Sequence, residues 1–199
     1  ASPGCYPTAA LLGLDPLLRR GLVEPTQIVV DALSGVSGAG RKTSDSLMYS
    51  VIDESVAAYA IASHRHRPEI EMALESSSGI GPIVSFTPHL VPMQRGLLST
   101  CSAPLTDGTG LDDLRQAMSD AYAREPFVEV SDRPPHTRWV VGSNKAIVHV
   151  AVDEHAGRAI AVVAIDNLIK GAAGQAVQAA NLMFDIDEAA GLSTTGGMP

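Results

Sequence analysis

Residues 146–167 read AIVHVAVDEHAGRAIAVVAIDN, and this stretch decides the fold class. Two apolar runs of strand length flank EHAGR at 154–158, whose glycine and polar residues are typical of a turn. The longest run, AIAVVAI at 159–165, is much shorter than the roughly 20 apolar residues that a bilayer span needs. The stretch therefore predicts two strands of a sheet joined by a turn.

The rest of the chain adds both strands and helices to this pair. TQIVVDAL at 26–33 predicts a buried strand, and PIVSFTPHLVP at 82–92 and GLLSTCSAPL at 96–105 predict two strands that pair with each other. TGLDDLRQAMSDAYARE at 109–125 has apolar residues at helical spacing. Further helices are expected at 8–14, 16–20, from Pro68 onward and at 171–184. We expect an α+β fold, with a mixed, mostly antiparallel sheet and helices on one face.

Composition excludes several classes of function. The 199 residues carry a formal net charge of −8, so no basic surplus is available to neutralise the phosphates of a nucleic acid. No stretch predicts a membrane span or a signal peptide. Cys5 and Cys101 are the two cysteines, and we expect both to be reduced thiols in the cytoplasm. Partners are therefore expected to be small molecules and further copies of the chain, not nucleic acid or membrane.

Cys5 lies in PGCYPT at 3–8, just before a predicted helix start near Thr8. A lone cysteine is more often a buried small hydrophobe than a nucleophile. The N–H groups of a helix start lower the pKa of a nearby thiol, and they can also stabilise an oxyanion on a carbonyl joined to its sulfur. The residues alone leave the structural and the catalytic interpretation open.

A nucleophilic thiol needs a partner for proton transfer, and the six histidines include the pair His64 and His66 in HRH. A metal site is a weak hypothesis for this pair, because no further ligands follow at metal-binding spacing, and no metal is expected. The alternative is a polar loop. The loop SGVSGAGR at 34–41 can offer backbone N–H groups to an anion, but its glycine spacing is neither that of a P-loop nor that of a dinucleotide fingerprint.

Five motifs in order resemble one family. PGCYPT, SGVSGAGR, HRHRPEI, FTPHLVPMQRG and DNLIKGAAGQAVQ together resemble the N-acetyl-γ-glutamyl-phosphate reductases of arginine biosynthesis, over nearly the whole chain. The loop SGAG and the segment DNLIKGAA also resemble the wider group that includes aspartate-semialdehyde dehydrogenase. Ser2 stands where many relatives have asparagine, a difference that leaves the nucleophile intact.

The resemblance implies roles for individual residues. Cys5 corresponds to the nucleophile and His66 to the acid/base. Because Cys5 stands before a predicted helix start, we expect its thiol to be reactive and to have a low pKa. Ser37, Gly38 and Asn167 correspond to contacts with the nicotinamide end of NADPH. Ser34 and Arg95 are expected substrate contacts.

The resemblance also implies a domain organisation and a reaction. Residues 1–199 would be the catalytic and oligomerisation domain, similar to the C-terminal domain of glyceraldehyde-3-phosphate dehydrogenase, without the N-terminal Rossmann domain of the family. The segment 170–184 would be the helix that packs on that missing domain. The implied reaction is NADPH-dependent reduction of an acyl phosphate to a semialdehyde through a cysteine thioester. Two alternatives remain: the related carrier-protein-linked reductase of lysine biosynthesis, and a non-catalytic oligomerisation module.

Overall fold

The computed structural model describes residues 2–41 and 43–197, in which seven strands form one sheet and five α-helices accompany it. The helices are α1 (Cys5–Arg19), α2 (Tyr49–Ile52), α3 (His66–Ser78), α4 (Leu111–Tyr122) and α5 (Gly174–Met183). The strands are β1 (Ile28–Gly35), β2 (Ala57–Ala58), β3 (Val84–Val91), β4 (Leu97–Pro104), β5 (Val128–Val130), β6 (Ala146–Asp153) and β7 (Arg158–Ile165).

The strand order across the sheet is β2-β3-β1-β4-β7-β6-β5. β1 runs parallel to β3, and β5 runs parallel to β6, whereas the other neighbours are antiparallel. The predicted strand pair at 146–165 is confirmed as the hairpin of β6 and β7, in which Ala146 pairs with Ile165. The predicted pairing of the strands at 82–92 and 96–105 is wrong, because β1 lies between β3 and β4 and bonds to both.

The core lies between one face of the sheet and the helices α1, α3 and α4. Along β4 the side chains alternate, with Leu97, Ser99, Cys101 and Ala103 buried and the residues between them half-buried. The opposite face of the sheet carries half-buried side chains such as Leu33, Leu98 and Val162. The expected mixed sheet with helices on one face is therefore confirmed.

Helix α1 is continuous, although two short helices were expected on either side of Asp15-Pro16. Pro16 has no N–H to donate to the carbonyl of Leu12 four residues earlier. The hydroxyl of Tyr122 in α4 donates to that carbonyl at 2.7 Å instead. A residue distant in sequence thus satisfies the acceptor that the proline leaves free, and the helix runs through to Arg19.

The other helices keep their expected places with shifted starts. α3 begins at His66, two residues before the proline that was expected to mark the start. α4 matches the amphipathic prediction, with Leu114, Ala117 and Met118 buried. A π-helical turn at Ile169–Ala173 leads into α5 and contacts α1. The helical backbone bulges at this turn. Within residues 2–41 and 43–197, no helix has both the length and the apolar character that crossing a membrane requires.

Candidate active site

Cys5 is the first residue of α1, three residues earlier than the helix start expected from the sequence. Gly4 precedes it as an extended N-cap residue with φ −67° and ψ 167°. The backbone N–H groups of Cys5 and Tyr6 act to lower the pKa of the thiol. The side chain is half-buried.

Burial raises the pKa of the Cys5 thiol, and the two amide donors do not cancel this effect. The expectation of a low-pKa thiol is therefore wrong for this chain. Desolvation of the thiolate outweighs the helix terminus, with the Glu69 carboxylate as a smaller unfavourable influence. A thiol that is protonated at neutral pH needs a base before it can act as a nucleophile.

His66 is the first residue of α3, and its ring packs directly against Gly4. A Cβ added at Gly4 would lie 2.7 Å from both Cε1 and Nε2 of that ring, so any larger residue would displace the imidazole. His66 is 9% exposed, and burial lowers its pKa although the Glu69 carboxylate opposes the shift. The imidazole is therefore neutral at pH 7 and can accept a proton. Two helix starts, one with the thiol and one with the base, meet at Gly4.

Glu69 joins these two helix starts, and the sequence analysis missed it. Its Oε1 accepts the N–H of Gly4 at 2.8 Å, and its Oε2 lies 4.0 Å from Nε2 of His66. The i,i+3 spacing of His66 and Glu69 in a helix, which puts both on one face, is the signal that could have identified it.

His64 contacts the backbone of His66, whereas the ring of His66 packs against Gly4. Nδ1 of His64 accepts the backbone N–H of His66 at 3.1 Å, and the His64 ring packs edge-on against Tyr6, Tyr59 and Phe86. Burial lowers the pKa of His64 to about 4, and the charges of His66 and Arg65 add to the shift. Nδ1 must be unprotonated to accept this hydrogen bond, which agrees with the lowered pKa.

A tyrosine pair closes the same side of the site. The hydroxyls of Tyr6 and Tyr59 are hydrogen-bonded at 2.9 Å. Burial and this bond raise the pKa of Tyr6, while the Ser34 hydroxyl opposes the rise. Ser34, an expected substrate contact at the end of β1, therefore lies beside the helix that carries Cys5.

The expected cofactor contacts cluster together. Nδ2 of Asn167 donates to the hydroxyl of Ser37 at 3.0 Å, and its Oδ1 accepts the N–H of Gly96 at 2.8 Å. A Cβ added at Gly38 would lie 2.8 Å from Oγ of Ser34, so glycine permits the close approach of the loop to the strand. Residues that are distant in sequence thus form one group, which consists of Ser34, Ser37, Gly38 and Asn167.

Arg95 is next to this group but is tied to a buried carboxylate. Its Nη2 lies 2.8 Å from Oδ2 of Asp166, which is fully buried. Asp166 also accepts the backbone N–H groups of Gly142, Leu168 and Ile169. Arg95 neutralises this carboxylate, and its role as a substrate contact stays a prediction.

Gly171, in the π-helical turn, contacts Cys5 from another side. A Cβ added there would lie 2.6 Å from Cβ of Cys5. The glycine in KGAAG therefore allows the turn to approach the thiol-bearing residue.

Cys101 lies outside the site. It is buried in β4 at 1% exposure, and burial raises its pKa to about 12. Within residues 2–41 and 43–197, no group of three or more histidine, cysteine, aspartate or glutamate side chains is arranged to hold a metal ion.

Curated proteins are similar to the chain over its whole length. Over its whole length the chain is 48% identical, across 201 residues, to an "N-acetyl-gamma-glutamyl-phosphate reductase" of Moorella thermoacetica. It is 50% identical, across 201 residues, to a protein of the same name from Frankia casuarinae. The chain spans 58% and 59% of the length of these two curated relatives.

Solved structures share the fold at lower identity. Aspartate semialdehyde dehydrogenase II of Vibrio cholerae superposes with a TM-score of 0.71 at 20% identity, over 92% of this chain and 61% of that one. Aspartate semialdehyde dehydrogenase of Francisella tularensis gives 0.68 at 14% identity, over 92% of this chain and 64% of that one. Residues 5–167 match the family described as "Semialdehyde dehydrogenase, dimerisation domain". Since that match covers well over half of the 199 residues, the chain belongs to the semialdehyde dehydrogenase dimerisation-domain family.

Proposed function

We propose that this chain is the catalytic and oligomerisation part of an N-acetyl-γ-glutamyl-phosphate reductase. The observation that carries the proposal is the meeting of Cys5 and His66 at Gly4, each on the first turn of its own helix. The 48% and 50% identities to proteins of that name support the choice of substrate over the carrier-linked reductase of lysine biosynthesis. The substrate is then a small acyl phosphate.

The first step is acyl transfer to sulfur. His66, neutral because it is buried, takes the proton of the Cys5 thiol as the sulfur attacks the acyl carbon. The N–H groups of Cys5 and Tyr6, at the start of α1, would stabilise the oxyanion that forms on the carbonyl oxygen. Phosphate leaves with the bonding electrons of the acyl–oxygen bond, and a thioester on Cys5 remains.

The second step is reduction of that thioester. When bound, NADPH supplies the hydride, and the residues suited to hold its nicotinamide end are Ser37, Gly38 and Asn167. These residues fit such a group, because Ser37 lines a cavity of about 430 Å³, the adjacent Gly38 is exposed, and the buried Asn167 amide holds the Ser37 hydroxyl. After reduction, His66 transfers the proton of the hemithioacetal hydroxyl to the departing Cys5 sulfur. The semialdehyde and the free thiol then form together.

The reaction requires a second domain, and α5 provides a surface for it. Val177, Leu182, Met183 and Phe184 are 43%, 60%, 80% and 74% exposed. We propose that residues 170–184 pack on a nucleotide-binding domain, because exposed apolar area of this kind usually meets another surface. Hydrogen exchange would test this: the helix should exchange slowly in a protein that includes the second domain and faster in the chain alone.

The face of the sheet opposite the helices is suited to form an interface between copies of the chain. Helices cover one face, while the other presents half-buried apolar side chains, including Leu33, Leu98, Ile160 and Val162. The family description as a dimerisation domain supports the same proposal. A cytoplasmic location is proposed as well, because both cysteines are free thiols. Sedimentation of the chain would give the oligomeric state, and a monomer would contradict the proposal.

The decisive experiment combines turnover with trapping of the thioester. The full-length protein should oxidise NADPH with N-acetyl-γ-glutamyl phosphate, and without NADPH it should hold the acyl group on the peptide that contains Cys5. Cys5→Ser should abolish both results, whereas Cys101→Ala should retain the trapped adduct. An oligomerisation module without catalysis would show no adduct, and a carrier-linked reductase would require the substrate on its carrier protein.

A further inference from the structure

The side chain of Gln175, in the first turn of α5, reaches the segment that carries Cys5. Its Nε2 donates to the carbonyl of Pro3 at 2.8 Å and to the hydroxyl oxygen of Thr8 at 2.8 Å. A side-chain amide nitrogen has two hydrogens, and both are used here. One residue of α5 thus holds the chain on both sides of the cysteine.

The hydroxyl of Thr8 continues this chain of hydrogen bonds. Thr8 is buried at 5% exposure, and its Oγ1 donates to the carbonyl of Gly4 at 2.9 Å. The N–H of Gly4 is bound to Glu69, as described above. The polar backbone atoms just before Cys5 are therefore fixed by Gln175, Thr8 and Glu69.

The same turn also provides the closest packing against the cysteine. Gly171 lies four residues before Gln175 and leaves no room for a side chain between itself and Cβ of Cys5. Contact at Gly171 and hydrogen bonding by Gln175 act together, since the first limits the position of Cys5 and the second anchors the residues around it.

We propose that Gln175 is a positioning residue for Cys5, whose amide anchors Pro3 and Thr8 and thereby holds the first turn of α1 in the geometry needed for attack. The inference rests on the proposed function of Cys5 as the nucleophile. Without the amide donor, the Pro3 carbonyl and the Thr8 hydroxyl lose a partner, and the start of α1 becomes free to fray. Displacement of a nucleophile by about 1 Å can lower the reaction rate on the order of 100-fold.

Thiol labelling tests the proposal without any substrate. Gln175→Met keeps the length of the side chain and removes both donors. In this chain at pH 7.5, we expect iodoacetamide to label Cys5 at least about threefold faster than in the wild type, because fraying exposes the thiol. Cys101, buried in the sheet, is the internal control for global opening, and Gln116→Met, on an exposed face of α4, is the matched control variant. Unchanged labelling of Cys5, or equal acceleration of Cys5 and Cys101, would overturn the proposal.

Kinetics of the full-length enzyme give the second test. Gln175→Met should lower kcat about 10-fold with KM within about twofold, since anchoring acts on the attack and not on substrate binding. Thr8→Val should cause a loss of similar size, Thr8→Ser should recover part of it, and the double variant Gln175→Met with Thr8→Val should be no worse than the poorer single one. Additive losses would contradict the shared anchor. If the wild type shows no turnover, the proposed function fails, whereas the labelling experiment still decides the position of Cys5.

Discussion

The backbone N–H of Gly4 donates a 2.8 Å hydrogen bond to Oε1 of Glu69, which lies 65 residues later in the chain. The same carboxylate has its other oxygen 4.0 Å from Nε2 of His66. One side chain therefore sets both the position of the residue before the nucleophile and the electrostatic surroundings of the base.

Replacing Glu69 should separate these two effects. Glu69→Gln keeps an acceptor for Gly4 and removes the charge, whereas Glu69→Ala removes both, so we expect kcat/KM to fall about 10-fold further in the alanine variant. The carboxylate raises the pKa of His66, so its removal lowers that pKa. The ascending limb of the pH–rate profile should therefore move to lower pH in both variants. A shift to higher pH would contradict the assignment of His66 as the base.

His66 and His64 should differ in their effect on turnover. His66→Asn should lower kcat on the order of 100-fold or more, which is the usual range for loss of a general acid–base. His64→Asn should cost much less, because His64 acts through a hydrogen bond to the backbone of His66. Steady-state kinetics of the two variants in the full-length enzyme check this, and equal losses would show that the roles are misplaced.

The family resemblance assigned Ser37 and Asn167 to one group, and these residues, 130 positions apart, are hydrogen-bonded. Their role as cofactor contacts stays a prediction. Alternation and helical spacing identified the hairpin at 146–165 and the helix α4, since both patterns are local.

The incorrect predictions concern features that depend on contacts between residues distant in sequence. The central place of β1 depends on pairing with two later strands, and the continuity of α1 depends on the hydroxyl of Tyr122. The pKa of Cys5 was predicted from the helix terminus alone, but burial by residues that pack from other elements outweighs it. Glu69 and Gln175 were missed for the same reason, because their partners before Cys5 are far away in sequence.

Gly171→Ala should damage both packing and activity. The added methyl would lie 2.6 Å from Cβ of Cys5, so the π-helical turn or the start of α1 must move. Overpacking of this kind costs about 1–3 kcal/mol of the free energy of unfolding, and we expect kcat to fall at least about 10-fold as Cys5 is displaced. Gly81→Ala is the matched control, since its added methyl would be 3.5 Å from the Glu75 carboxylate in ordinary contact. Denaturant unfolding and turnover measure the two effects, and equal results for the two variants would contradict the steric argument.

Native labelling across pH should distinguish the two cysteines. Burial raises the pKa of both thiols, so the labelling rate of Cys5 should keep rising above the ordinary thiol range near about 8.5. Cys101, with a pKa of about 12 and 1% exposure, should remain unlabelled in the folded chain. Peptide mass spectrometry after iodoacetamide treatment reads both sites. Preferential labelling of Cys101 would refute the assignment of Cys5 as the accessible thiol.

The raised thiol pKa values also predict a loss of stability in alkali. Below the unfolded value near about 8.5, both states bind the thiol proton, so the full stability is present. As pH rises toward about 12, the unfolded state releases the Cys101 proton and the folded state keeps it, so the free energy of unfolding falls. Denaturant unfolding between pH 8 and pH 10 should show a smaller slope in Cys101→Ala than in the wild type, after both are normalised at pH 7. An unchanged slope would show that Cys101 contributes nothing to this dependence.

The chain alone should bind NADPH weakly. Ser37, Gly38 and Asn167 can contact only the nicotinamide end, and the sequence contains no G-x-G-x-x-G turn between a strand and a helix for the pyrophosphate. Calorimetric titration of this chain should give a dissociation constant weaker than about 1 mM, which corresponds to less than about 4 kcal/mol of binding free energy. The matched control is the full-length protein, in which the same titration should give binding at least about 10-fold tighter. Micromolar binding to the chain alone would show that the loop at 34–41 recognises more of the cofactor than its nicotinamide.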